Sequence, residues 1–191
     1  MCYRLLCIVT VVVIAIDHAG PLTVELAQAE QIRFSSAEEK LLNDFVDLDE
    51  LRTSCLPGTD LVGPIGPDGI RITVDGRSAA ACMRPDGTNH GPSMTWYEDG
   101  SKAAAGEYHD GAKEGLWCFW HENGRISGRG VFRDGKPDGI WVSFYDNGQK
   151  ESEGLYVDGK HHGQFTFWDR SGRIVKTLKY SRGKLLSESV R

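Results

Sequence analysis

Residues Gly139 to Gly163 read GIWVSFYDNGQKESEGLYVDGKHHG, and the spacing of turn and aromatic residues in this stretch decides the fold. Asn147-Gly148 and Asp158-Gly159 are both strong hairpin signals, because the two central residues of a type I′ turn need positive φ and Asn, Asp and Gly tolerate it. The chain between the two turns suits one strand and is too short for a helix of ordinary length. The aromatic residues Trp141, Phe144 and Tyr156 lie on the strands so bounded. The stretch therefore reads as a two-stranded hairpin followed by a return turn.

The same pattern recurs every 24 residues, in blocks opening at Gly91, Gly115, Gly139 and Gly163. The sixth position is aromatic in each block (Trp96, Trp120, Phe144, Trp168), and so is the eighteenth (Tyr108, Phe132, Tyr156, Tyr180). The first turn carries Gly100, Gly124, Gly148 and Gly172, and the second Gly111, Gly135, Gly159 and Gly183. The sixteenth position is Gly106, Gly130 and Gly154, then Leu178. A period of this length identifies a repeat architecture. Pairing through the first turn sets position three opposite position sixteen, Trp117 across from Gly130 and Trp141 across from Gly154. A ring over a cross-strand glycine covers a gap in the sheet, and burying each ring contributes about 2–3 kcal/mol. Trp96, Trp117, Trp120, Trp141 and Trp168 are all in these blocks and form the expected repeat core. Residues 67–90 carry Asp75-Gly76 and Asp86-Gly87 at the two turn positions and Ile72 at the aromatic one, a degenerate capping repeat.

The chain has 191 residues, net charge −5, 40% hydrophobic and 26% charged residues, which excludes a multi-span membrane protein and a disordered chain. It gives no support to nucleic-acid binding, which needs a basic surplus. Arg4 followed by the apolar run Leu5 to Ile16 and then by Ala27-Gln28-Ala29 reads as a signal peptide over 1–29, with Glu30 as the mature N-terminus. An uncleaved anchor is the rival reading. Export favours a disulfide. Cys55 and Cys82 flank a Pro/Gly-rich segment and are expected to pair, leaving Cys118 free. Residues 30–66 form a lead-in segment. Within it Ser36 and Glu39 make a capping box, and Leu41, Phe45, Leu48 and Leu51 follow at helical spacing, which predicts an amphipathic helix over 36–52 packed on the sheet. Residues 91–186 are the four full repeats, and 187–191 a C-terminal tail.

The blocks resemble the variant MORN repeat of bacterial proteins, in the form G-x-W-x-x-W/F-Y-x-N-G then G-x-Y-x-D-G-K-x-x-G. The likeness covers Gly91 to about Leu186, with weaker cover from Pro67. CLPGTDLVG followed by ACMRPDGTNHG also resembles the Cys-containing lead-in of exported members. The resemblance implies an elongated antiparallel sheet of stacked hairpins, in agreement with the turns. Some relatives carry the label YwqK-type antitoxin, a cytoplasmic neutraliser that fits poorly with an exported chain. Eukaryotic MORN proteins are associated with membrane lipids and protein assembly. The repeats here are nearly neutral, with 15 Lys plus Arg against 14 Asp plus Glu over 91–191. The family supplies no catalytic residue.

Catalytic and metal signatures such as HExxH, GxSxG, a P-loop or paired CxxC do not occur in the sequence. His161-His162 falls on a variable turn site that carries Lys113-Glu114 and Pro137-Asp138 in other blocks. Cys118 and His121 point to opposite faces of a strand and make no nucleophile–base pair. Asp110, Asp134 and Asp158 precede turn glycines, where local hydrogen bonding and left-handed φ explain them. The expectation is an all-β, non-catalytic exported scaffold without cofactor or metal, periplasmic, envelope-associated or secreted, that binds a protein or envelope component along its sheet. Leu116, Cys118 and Trp120 share one face and Trp117 and Phe119 the other, so both faces are apolar and one needs a cover. The alternatives are an antitoxin-like neutraliser and peripheral contact with acidic lipid. The latter draws on the last block, where Arg170, Arg173, Lys176, Lys179, Arg182, Lys184 and Arg191 outnumber Asp169 and Glu188. Homo-oligomerisation is compatible with either.

Overall fold

The computed structural model describes residues 55–63, 73–74 and 77–191. The expected signal peptide and the helix over 36–52 lie outside the described residues, as do Ile72 and the Asp75-Gly76 turn of the capping repeat. The chain forms strands β1 (Asp60–Val62), β2 (Thr73–Val74), β3 (Arg77–Met83), β4 (Asn89–Trp96), β5 (Lys102–His109) and β6 (Ala112–Trp120). It continues with β7 (Ile126–Arg133), β8 (Lys136–Phe144), β9 (Lys150–Val157), β10 (Lys160–Trp168), β11 (Ile174–Ser181) and β12 (Lys184–Val190). All pairs are antiparallel, in the order β1-β3-β4-β5-β6-β7-β8-β9-β10-β11-β12, with β2 beside β3. Among the described residues there is no helix, and the expected meander of hairpins is what the chain builds.

The two sets of turns differ in kind, which corrects the expectation of type I′ at both. Asp110, Asp134, Asp158 and Arg182 have φ near +50°, each followed by a positive-φ glycine, so these turns are I′. Asn123 and Asn147 are absent from the left-handed region and only Gly124 and Gly148 occupy it. There the Gly124 N–H donates to the His121 carbonyl at 2.9 Å and the His121 N–H to the Arg125 carbonyl at 2.8 Å, a three-residue loop closed by a glycine bulge. Asn123 is chosen for its side chain, whose Oδ1 accepts the Arg125 N–H at 3.1 Å. The longer loop displaces the register by one residue, and the shift between Phe119 and Trp120 restores it. Trp117 thus faces Gly130, and Trp141 faces Gly154, as the sequence spacing predicts.

Direct pairing across five strands produces one rank of residues: Trp117, Gly130, Trp141, Gly154 and Phe165. The rings cover different glycines from those expected. A Cβ on Gly130 would stand 2.1 Å from Trp141 Cε3, one on Gly154 2.2 Å from Phe165 Cδ1, and one on Gly106 2.3 Å from Trp117 Cδ2. Each ring therefore leans back over the glycine of the preceding strand, not forward over its partner in the same hairpin. Leu178 fits at the sixteenth position of the last block because its partner on β12 is Glu188 and no ring arrives.

The opposite face holds a buried cluster of its own. Ala80, Met94, Ala105, Cys118 and Trp120 form it, with Leu61, Trp96, Leu116 and Ile126 against it. The Cys55–Cys82 disulfide is present, with Cα atoms 5.5 Å apart, and ties the lead-in segment to β3. Closing a loop of 27 residues stabilises by about 3.5 kcal/mol on the chain-entropy account.

Candidate functional site

The second face is a continuous band of rings. Tyr108 meets Trp117 edge-on at 5.1 Å between centroids, Trp117 meets Phe132 at 6.1 Å, and Phe132 meets Trp141 at 5.3 Å. Trp141 continues to Tyr156 at 6.4 Å, Tyr156 to Phe165 at 5.4 Å, and Phe165 to Tyr180 at 5.5 Å. All six contacts are edge-to-face, the arrangement that the ring quadrupole favours. Positions three and eighteen of the repeat build this band by turns. The sixth-position rings Trp96, Trp120, Phe144 and Trp168 belong to the other face, where cations approach them: Lys102 at Trp120, Arg129 at Phe144 and Lys150 at Trp168, at 5.8, 5.9 and 5.2 Å.

Exposure along the band is uneven for a local reason. Trp117 is 3% exposed and Phe165 5%, while Trp141 is half-buried. Lys113 covers Trp117, with Nζ 4.3 Å from its ring centre and 5.3 and 5.1 Å from Phe119 and Phe132. Burial among these rings pulls the Lys113 pKa below the ordinary lysine value. His161 does the same service for Phe165, at 4.5 Å, and accepts or donates a hydrogen bond at 2.9 Å to the Tyr156 hydroxyl. In the intervening repeat the corresponding residue is Pro137. Beside Trp141 a shallow cleft of about 320 Å³ runs toward the turn end of β4 to β7, lined by Phe119, Gly128 and Ser143 together with Tyr97, Ala103, Trp120 and Ser127.

The repeats are braced at one end by side chains reaching the next hairpin. Tyr97 Oη–H donates to the Trp120 carbonyl at 2.6 Å and Tyr145 Oη–H to the Trp168 carbonyl at 2.9 Å. His121 Nε2 lies 2.8 Å from the Phe144 carbonyl, which requires the proton on Nε2. His121 is thereby a brace and not a base for Cys118. The Cys118 thiol is buried and its pKa is pushed up to about 12, so it remains protonated at neutral pH.

One cluster was not visible in the spacing. His90, His109 and Asp110 bring ligand atoms within 4.8 Å of one another. These donors are engaged: the Asp110 N–H donates to His90 Nδ1 at 3.2 Å, and Arg84 pairs with the Asp110 carboxylate at 2.5 Å. The same turn position is braced elsewhere by Glu114, which accepts the Asp134 N–H at 3.0 Å, and by His162, which accepts that of Arg182 at 3.4 Å. His90 is therefore a turn brace. Its link to His109 depends on β4 and β5 lying side by side, which the sequence order hides. His161 and His162 point to separate tasks, and Asp158 is held by Lys136 at 2.6 Å, so neither the histidine pair nor the aspartate series converges on a metal position.

Residues 137–158 match the family described as the MORN repeat variant. The match supports a MORN-repeat protein and falls mainly on the block that opens at Gly139. No curated protein matches the chain. Among solved structures, TarM is similar at 12% identity and a TM-score of 0.33, over 85% of this chain and 25% of that one. A complex of mutant S. aureus TarM with Fondaparinux, alpha-GlcNAc-glycerol and UDP gives the same identity and TM-score, over 84% and 25%. The chain spans about a quarter of the length of both structures.

Proposed function

We propose that this protein is a non-catalytic, exported repeat scaffold that binds a protein or cell-envelope component along its sheet. The observation that carries the reading is the aromatic band, which crosses from β5 to β11 and leaves Trp141, Phe119, Phe132 and Tyr156 half-buried on one open face. A contiguous apolar face rimmed by polar turns marks an interaction surface. Aromatic side chains concentrate binding energy in such surfaces because they bury a large area with few rotatable bonds. The Cys55–Cys82 bridge is in keeping with an oxidising compartment. Capture from an envelope extract with the full chain as bait, against a Ser152→Arg variant of unchanged circular dichroism, tests the reading. Loss of the captured protein with the variant supports it, and equal capture contradicts it.

A second reading rests on β12, where Leu185, Leu186 and Val190 are 47%, 55% and 71% exposed beside Arg182, Lys184 and Arg191. Apolar side chains among bases suit an acidic lipid surface. Flotation of the protein with phosphatidylserine vesicles at low salt, abolished at high salt, would favour that contact over a protein partner.

A further inference from the structure

We propose that the segment 36–52, an amphipathic helix by its spacing, docks across the face opposite the aromatic band, over the cluster of Ala80, Met94, Ala105 and Cys118. Docking there closes one face of β3 to β7 from within the chain and leaves the aromatic face to a partner.

Direct pairing sets Ala80, Met94, Ala105, Cys118 and Arg129 in one rank from β3 to β7. Cys118 is 0% and Ala80 1% exposed, and Met94 and Ala105 are 4% exposed. Among the described residues every strand belongs to the one sheet, so no strand lies across this face. Flanking rings do not bury a short side chain here unaided. Thr166 and Thr177 lie further along the same rank, close to Trp168, and are only half-buried. The burial at β3 to β6 therefore requires a cover of its own.

The chain delivers 36–52 to this place. Cys82 lies two residues beyond Ala80 on the same face of β3, and its strand partner Leu61 packs against the cluster. The bridge to Cys55 therefore pins the chain, three residues after the segment ends, at the border of the cluster. Leu56 follows on the same side: a Cβ on Gly91 would meet Cys82 Cβ at 3.2 Å and Leu56 Cγ at 3.8 Å. Residues 36–52 as a helix measure about 25 Å, and the four strand spacings from β3 to β7 about 19 Å. One helix thus spans the rank. Leu41, Phe45, Leu48 and Leu51 supply long apolar side chains where Ala80, Ala105 and Cys118 present short ones.

Charge sets the register. Leu41, Asp44, Leu48 and Leu51 stand at i, i+3, i+7 and i+10, so Asp44 shares the apolar face and turns to the sheet on docking. A carboxylate carried into such a contact needs a cation. Arg129 is the cation of the rank, directly paired with Cys118. Asp44 lies about 16 Å of helix from Cys55, and Arg129 about 19 Å of sheet from Cys82, so the arginine side chain spans the difference.

The test places a benzophenone photo-crosslinker at residue 48 or residue 50 of the full chain, with links located by fragmentation mass spectrometry. Residue 48 should link within one chain to Met94 or its neighbours in the rank, and residue 50, on the far side of the helix, several-fold less. Links from residue 48 to Ala104, Phe119 or Trp141 would put the segment on the aromatic face, and links between two chains would put a second copy in its place. Either result, or no link from residue 48, overturns the proposal. Phe45→Asp combined with Leu48→Asp should make Cys118 react with N-ethylmaleimide in native buffer, with the sheet circular dichroism retained. Unchanged protection of Cys118 also overturns it. Asp44→Lys and Arg129→Glu should each speed that labelling, and the two together should slow it again; a double variant no slower than either refutes the Asp44–Arg129 pairing. Capture from envelope extract is read separately, so its loss with Ser152→Arg bears on the scaffold reading alone.

Discussion

Gly130→Ala adds one carbon to a glycine that has no left-handed φ to protect, so its whole effect reports on the ring above it. The added Cβ would lie 2.1, 2.6 and 2.8 Å from three atoms of Trp141, distances at which the ring or the strand must move. Overpacking of this kind costs about 1–3 kcal/mol. Part of the burial of Trp141 is lost as well, roughly another 1 kcal/mol if half its contact with the sheet goes. The expected destabilisation is about 2–4 kcal/mol, or about 5–15 °C in Tm for a chain of this size. Gly124→Asn is the contrast: nothing lies within 4 Å of its Cβ and Asn tolerates its φ of +78°, so about 1 kcal/mol or less is expected. Thermal melts of both, combined with Trp141→Leu and Trp117→Leu, form two double-mutant cycles. Coupling of Gly130→Ala to Trp141 and not to Trp117 is predicted. Coupling to Trp117, or a larger effect from Gly124→Asn, would refute the backward lean of the rings.

Reduction of Cys55–Cys82 should lower stability by about 3.5 kcal/mol, measurable as a fall in Tm with a phosphine reductant. Iodoacetamide at pH 8 should leave Cys118 unmodified until denaturant is added, because the thiol is buried and its pKa stands at about 12. Asp169 accepts from the Ser171 hydroxyl and from the Arg173 backbone, which lower its pKa to about 2. A depressed folded pKa means that its contribution is fully present above the ordinary carboxylate value and is lost as pH falls from about 4 through 2. Carboxyl NMR titration should place it there, and Ser171→Ala should raise it. Mass spectrometry of exported material should find Glu30 at the N-terminus, and a chain retaining Met1 would contradict cleavage.

The repeat was legible because each of its recurring columns has a separate physical cause. Turn glycines mark positive φ, aromatic columns mark the two faces, and the sixteenth-position glycines mark room for a ring. The registers of Trp117 and Trp141 followed from turn spacing even though the first turn is a three-residue loop, since the bulge after Phe119 returns the lost residue. What the spacing did not reveal is which neighbour covers a glycine. Gly130 pairs with Trp117 on one side and Trp141 on the other, and only the tilt of the rings distinguishes them. The rank Phe119, Gly128, Ser143, Ser152 and Phe167 was hidden for a similar reason. Phe119, Ser143 and Phe167 are distant in sequence and become neighbours only through successive registers. The cysteine pair was legible from its Pro/Gly-rich surroundings, whereas His90 and His109 met only through the pairing of β4 with β5.

The central claim, that the aromatic face is the binding face, is tested most directly by two photo-crosslinkers on adjacent residues of β9. Ser152 pairs with Ser143 and Phe167 on the aromatic face, while Glu153 pairs with Val142 and Thr166 and points to the opposite face. A crosslinker at residue 152 should trap the partner from envelope extract, and one at residue 153 should not. Trapping from residue 153 alone would place the partner on the other face and contradict the account.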